Sequence, residues 1–131
     1  MKIALSSVTK AFGSNRVLDA VNFESEFDHT LALIGPSGGG KSTLLRCANL
    51  LEDSQQGDVL FCGEPVIWKG KGRNRQPDDH AQMIRIRTNL SMVFQQFNLW
   101  AHMSILQNVM EAPVQVLKEN QGEVEDRARG L

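Results

Sequence analysis

Residues 35–43 read Gly-Pro-Ser-Gly-Gly-Gly-Lys-Ser-Thr, residue types and an order that suit one task, the holding of a phosphate chain. Gly35 to Ser42 satisfies G-x-x-x-x-G-K-[ST]. Gly35, Pro36, Ser37, Gly38, Gly39 and Gly40 would wrap the backbone closely around phosphate oxygens, with N–H groups pointing inward. Lys41 supplies a point charge for β- and γ-phosphates, the Ser42 hydroxyl is placed to ligate Mg²⁺, and Thr43 completes the set of nucleotide-binding residues. The plain alternative is a glycine-rich turn with an incidental lysine.

The flanking elements argue against that alternative. Leu31, Ala32, Leu33 and Ile34 precede the loop as an unbroken apolar run, as expected of a strand buried on both faces of a parallel sheet. Leu44, Leu45, Ala48 and Leu51 follow it on one side of a helix starting near Lys41. A buried strand feeding a glycine loop that opens a helix is the context the phosphate-binding mechanism demands.

The rest of the chain alternates short apolar runs with helix-like segments, a pattern that predicts an α/β fold. Residues 2–9 and 20–27 read as two early strands; in the second, Val21, Phe23, Ser25 and Phe27 share one face, and Asn22, Glu24 and Glu26 the other. Residues 57–68 predict two strands around a Cys62-Gly63 turn, with Pro65 placing its strand at a sheet edge. Residues 69–77 read as a polar loop. A short helix over 78–87 and a strand over 90–94 follow. Ser104 and Gln107 form a capping-box pattern that starts a helix, which Pro113 should kink or interrupt. Glu123 with Arg127 and Glu125 with Arg129, at i,i+4 spacing, support a last helix.

Composition narrows the class. The 131 residues are 41% hydrophobic and 22% charged, with a formal net charge of −1, as in a globular protein of about one modest domain. That balance gives no global attraction to nucleic acid or anionic lipid. No run of about eighteen apolar residues is present to span a bilayer, and the N-terminus has no apolar core followed by a small-residue cleavage site. A cytoplasmic location is the expectation. Cys47 and Cys62 lack metal-ligand companions at useful spacing and read as reduced packing residues. Lys69, Lys71, Arg73, Arg75, Arg85 and Arg87 form a basic cluster, but Asp78 and Asp79 lie within it and no aromatic ladder accompanies it, so it reads as a solvated face.

The loop alone suits small kinases, GTPases and transport ATPases alike. Beyond it, the chain resembles the nucleotide-binding subunit of an ATP-binding cassette (ABC) transporter along nearly its whole length, and residues 90–116, "LSMVFQQFNLWAHMSILQNVMEAPVQV", resemble those of importers of polar amino acids. The resemblance implies a P-loop NTPase core with an antiparallel N-terminal β portion, about residues 1–95, and a Q-loop opening a helical subdomain, about 95–131. It makes Gln95 the Q-loop glutamine, reaching Mg²⁺ or the attacking water; a neutral amide can do either without adding charge. It makes Phe12 the aromatic that stacks on adenine, although tyrosine is more usual there. Read without the loop, Gln95 is a polar strand-end residue and Phe12 a core side chain. Asp28-His29 stands where a Gly-Glu pair is usual, and Gly39 replaces a common serine. By the same resemblance, Phe97, Leu99, Trp100 and Met103, around Asn98 and His102, receive a cytoplasmic helix of the transmembrane permease subunit. ATP and Mg²⁺ are the implied ligands, a paired ATPase subunit or second copy the further partner, and the inner face of the cell membrane the implied location.

The resemblance covers the first half of such a domain. The 131 residues contain no LSGGQ-type signature, no apolar strand ending in Asp-Glu and no later switch histidine, and no Glu or Asp occupies the general-base motif. The expectation is therefore nucleotide binding without hydrolysis, and apolar sheet edges left unpaired where downstream strands would flank the loop strand. Three other readings stand beside it: a transporter-binding module without turnover, a cassette ATPase of the DNA-maintenance kind, and a small kinase, for which no substrate base or lid arginines can be assigned.

Overall fold

The computed structural model describes residues 2–26 and 28–131 and divides into two compact units, Met1–Met92 and Val93–Leu131. Phe27, assigned above to the apolar face of the second strand, lies outside the described residues.

In the first unit, β1 (Ile3–Phe12) and β2 (Asn15–Ser25) form a long antiparallel hairpin. The alternation read from the sequence is present: Val21, Phe23 and Ser25 are half-buried while Asn22, Glu24 and Glu26 face solvent. The ladder is irregular around Ser7 and Ala20, whose φ angles are 51° and 47°. Extra residues of this kind lose ladder partners. Here side chains supply them: Ser7 N donates to Asn22 Oδ1 at 2.9 Å, and Ala20 N to Thr9 Oγ1 at 3.0 Å.

On the other side of β1 lies β3 (Gln56–Phe61), followed through the Cys62-Gly63 turn by β4 (Glu64–Pro65), giving the sheet order β2-β1-β3-β4. Pro65 sits on the edge strand, where a missing N–H removes no ladder bond. Leu5, Val8, Leu18, Val59 and Phe61 from the sheet pack with Leu44, Cys47 and Ala48 of α1 (Lys41–Ala48) and with Ile86 of α2 (His80–Asn89). The Asp79 side chain caps α2 by accepting from Gln82 N at 3.0 Å. Across the span 69–77 read as a loop and the residue before it, β5 (Trp68–Lys69) pairs with β6 (Gln76–Pro77) through a 3₁₀ turn at Gly72–Asn74. Polar composition hid this hairpin, because its pairing is local and only Trp68 packs on the core.

Two expected strands are not formed. Residues 31–36 and 90–94 have no ladder partner and run as irregular chain. Ile34 is 94% and Val93 95% exposed. A strand apolar on both faces reports burial, and burial in a sheet needs neighbours; among the described residues the sheet ends at β2 and β4 without reaching either segment.

The second unit contains α3 (Ile105–Glu111), a widened π turn over Ala112–Val116 and α4 (Gln121–Arg129). Ser104 and Gln107 complete the reciprocal capping box. At Pro113 the helix widens instead of continuing, because proline cannot donate to the preceding turn. Arg129 pairs with Glu125 as the spacing predicts. Arg127 pairs with Glu119, preceding the helix, and not with Glu123.

Candidate functional site

The phosphate loop ends where α1 begins, and Gly40 makes the junction. Its φ of 81° is left-handed, and a Cβ there would lie 3.0 Å from Val17 O and 3.1 Å from Val17 Cγ1. Glycine is thus required twice, for the backbone angle and for the approach of the loop to β2. No side chain caps α1. Its first-turn N–H groups, at the positive end of the helix dipole, are left for water or an anion.

Lys41 bends back over the loop, donating from Nζ to Gly35 O at 2.7 Å and Pro36 O at 2.6 Å. Pro36 O also accepts from Gly39 N at 3.1 Å. The loop is therefore closed on itself by one ammonium and one amide. A side chain at Gly35 or Gly38 would meet nothing within 4 Å, so the mouth of the loop is open. Ser37 and Ser42 are exposed and Thr43 is half-buried. Amides, an ammonium and a hydroxyl around an open mouth fit a polyphosphate.

For Mg²⁺ the fit rests on donor chemistry. Among the described residues no three His, Cys, Asp or Glu side chains converge on a cation position. The Ser42 hydroxyl is a hard oxygen donor at the end of the loop, and Mg²⁺ characteristically combines few protein ligands with water and substrate phosphates.

Phe12 ends β1 and is 48% exposed, which excludes the core role. The Lys10 ammonium lies over its ring, 5.0 Å from the centroid. Lys10 is itself buried, paired with Glu52 at 2.5 Å and donating to Asp53 O at 2.7 Å. Burial pushes the Asp53 carboxyl above its usual range; Lys10 opposes that shift, Glu52 adds to it and Arg87 opposes it. One ring face of Phe12 is thus backed by a fixed cation while the ring remains accessible. The sequence reading missed Lys10, although its i,i−2 spacing from Phe12 on a strand places both on one face.

Gln95 belongs to the second unit and is exposed on irregular chain. Phe97 is 91% exposed, and Leu99 and Trp100 are exposed as well. They do not form a local core. Nearby in that unit, Leu106, Met110, Val114, Gln121, Glu111 and Glu125 line a cleft of about 300 Å³ between α3 and α4.

The basic cluster of the first unit is largely spent within the protein. Lys69 pairs with Asp78, Arg85 with Glu64 and Arg75 with Asp58. Arg75 also lies 4.3 Å from the Trp68 ring centroid, and burial lowers its pKa. Arg87 donates to Leu50 O and Arg73 to Gly13 O. Among the described residues no helix is long and apolar enough to cross a membrane.

Comparison with known proteins gives one consistent result. The family model described as "ABC transporter" matches residues 18–131. The arginine/ornithine transport ATP-binding protein AotP of Pseudomonas aeruginosa is 43% identical over 128 residues, 97% of this chain and 50% of that protein. The histidine/lysine/arginine/ornithine transport ATP-binding protein HisP of Escherichia coli is 40% identical, with the same coverage of each. The chain spans about half the length of the curated relatives it matches. Among solved structures, the dimeric structure of MJ0796, a bacterial ABC transporter cassette, superposes with a TM-score of 0.78 at 29% identity, over 98% of this chain and 54% of that one. A post-hydrolysis state of MJ0796 bound to ADP and Pi gives 0.75 at 28% identity.

Proposed function

The chain belongs to the ABC transporter family, and on that premise we propose that it is ATP-binding machinery of an importer for polar amino acids. The carrying observation is the loop itself: Gly40 opens an uncapped α1, and Lys41 hangs over an open mouth within reach of the loop's own carbonyls. A triphosphate would take the place of Gly35 O and Pro36 O on the ammonium, and its oxygens would accept from the first-turn amides. Pro36, Ser37, Gly38 and Gly39 shape the cradle with Thr43 after them, Ser42 would offer its hydroxyl to Mg²⁺, Phe12 would take the adenine, and Gln95 keeps the Q-loop role that the family resemblance gives it. The chemistry Mg²⁺ would supply there is neutralisation of negative charge on the phosphates.

To these residues we assign binding and not turnover, because none of them is a carboxylate able to act as general base toward the attacking water. Residues 1–95 serve as the nucleotide-holding β portion and core in this reading, and 95–131 as the start of a helical subdomain. Phe97 to Met103 would meet the permease subunit, placing the protein at the inner face of the membrane, with a second copy or paired ATPase subunit completing the assembly. The identity of the relatives and the exposure of Phe97, Leu99 and Trp100 support it.

The test is titration of the purified chain with a fluorescent ATP analogue in Mg²⁺, beside Lys41→Ala, with circular dichroism of both. Saturable binding abolished in the mutant is expected, with no steady phosphate release above that control. A folded chain that binds no nucleotide, or binds it equally well without Lys41, overturns the reading.

A further inference from the structure

Three consecutive residues where β1 ends, Ala11, Phe12 and Gly13, are each held by a side chain. The Gln55 amide takes both backbone polar groups of Ala11: Ala11 N donates to Gln55 Oε1 at 2.7 Å, and Gln55 Nε2 donates to Ala11 O at 3.0 Å. Lys10 backs the ring of Phe12. Arg73, sixty residues along the chain from Gly13, donates from Nη2 to Gly13 O at 2.9 Å.

Each grip is unusual for its setting. Gln55 imitates one residue of a neighbouring strand, continuing β1's pairing just beyond Thr9↔Gln56, where the β3 ladder ends. Arg73 is an exposed arginine at the tip of the β5–β6 hairpin, where a solvated charge is the ordinary state, yet it reaches a turn carbonyl. Together they fix the backbone on both sides of Phe12, an aromatic left 48% exposed. A half-exposed ring has little packing of its own to select a rotamer or hold its turn. Base stacking on an aromatic gains only about 1–3 kcal/mol, so ordering the platform beforehand decides how much of that is retained.

We infer that Gln55 and Arg73 are positioning residues for Phe12, preorganising it as a one-faced platform for the purine base, so that discrimination between a nucleotide and a base-free polyphosphate depends on them. The inference rests on the nucleotide-binding reading above. Neither residue touches the phosphate loop's amides or Lys41 in the interactions described, so their effect falls on the base and leaves phosphate binding alone.

The test measures the affinity of the chain for Mg·ATP and for Mg·tripolyphosphate by competition with the fluorescent analogue, the ratio of the two being the base preference. Phe12→Ala, Arg73→Ala and Gln55→Glu are each expected to lower that ratio, Arg73→Ala by roughly threefold to tenfold, the ordinary net scale of one solvent-exposed hydrogen bond, with tripolyphosphate affinity unchanged. Arg73→Lys, which retains a donor, is expected to restore it. A ratio lost in Phe12→Ala but unchanged in Arg73→Ala and Gln55→Glu overturns this inference and leaves the nucleotide reading standing. Equal loss of both ligands in Arg73→Ala marks general loosening and also overturns it. A wild-type chain that binds neither ligand, or whose binding ignores Lys41→Ala, overturns the nucleotide reading itself.

Discussion

The side-chain amide of Asn108 holds both backbone polar groups of Trp100: Trp100 N donates to its Oδ1 at 2.8 Å, and its Nδ2 donates to Trp100 O at 3.2 Å. The same Nδ2 reaches Met103 O at 3.3 Å and Ser104 O at 3.0 Å. One residue of α3 thus organises the irregular chain before it. Asn108→Ala removes an acceptor and two donors at once and is expected to destabilise the second unit by about 1–3 kcal/mol. Urea unfolding followed by Trp100 fluorescence in a Trp68→Phe background checks this. An unchanged midpoint would show that the loop is ordered by other contacts.

Gly57 is the position where the fold tolerates least. Its φ is 83°, and an added Cβ would lie 2.3 Å from Ser7 O and 2.4 Å from Ser6 O. Both neighbours are backbone of the bulged segment of β1, which cannot yield as a flexible side chain would. Gly57→Ala is expected to cost at least about 2 kcal/mol from angle and clash together. Thermal unfolding measures it, and a shift of a degree or less would refute the close approach.

Cys47 is fully buried beside the sheet, and burial pushes its thiol up to about 11 from 9.0, with nearby Lys10 opposing. The folded state therefore holds the proton more tightly than the unfolded chain. Stability from this group is complete below pH 9 and falls as pH rises toward 11, since only the unfolded thiol ionises there. The loss approaches roughly 2–3 kcal/mol. Urea unfolding at pH 8 and pH 10.5 should show a larger decline for wild type than for Cys47→Ala. Iodoacetamide should label exposed Cys62 and spare Cys47 until the chain unfolds.

The basic residues between 69 and 87 should not confer nucleic-acid binding. With Lys69, Arg75 and Arg85 already paired with carboxylates, few free cations remain to displace counterions. Fluorescence anisotropy with duplex DNA at about 150 mM salt should remain flat; saturable, salt-sensitive binding would reopen the DNA-maintenance reading.

The sequence disclosed what local chemistry determines. The glycines and Lys41 announce the loop and α1, Ser104 with Gln107 announces α3, and alternation around Val21 and Phe23 announces β2. Each signal lies within a few residues of the structure it specifies. The clamps by Gln55, Arg73 and Asn108 were illegible, because a polar side chain's partner is set by tertiary placement and leaves no periodic trace. Leu31 to Ile34 misled for the opposite reason: four apolar residues specify an environment, and whether a strand forms there depends on what lies alongside. Arg127 shows the same limit, since helical spacing offers Glu123 and the fold presents Glu119.

The unpaired apolar runs at 31–34 and 90–94, in which Leu33 and Leu90 reach the core while their neighbours are exposed, also govern how the protein behaves in bulk. Ile34, Val93 and Phe94 present unpaired, β-prone chain to solvent, and such chain adds strands from any molecule that offers them. Encounter between two copies is second order, so doubling the concentration quadruples the initial rate of clumping while intramolecular folding proceeds at its own pace. Yield during expression would then be set by dilution, temperature and chaperone supply, quantities that no property of the phosphate loop can tune.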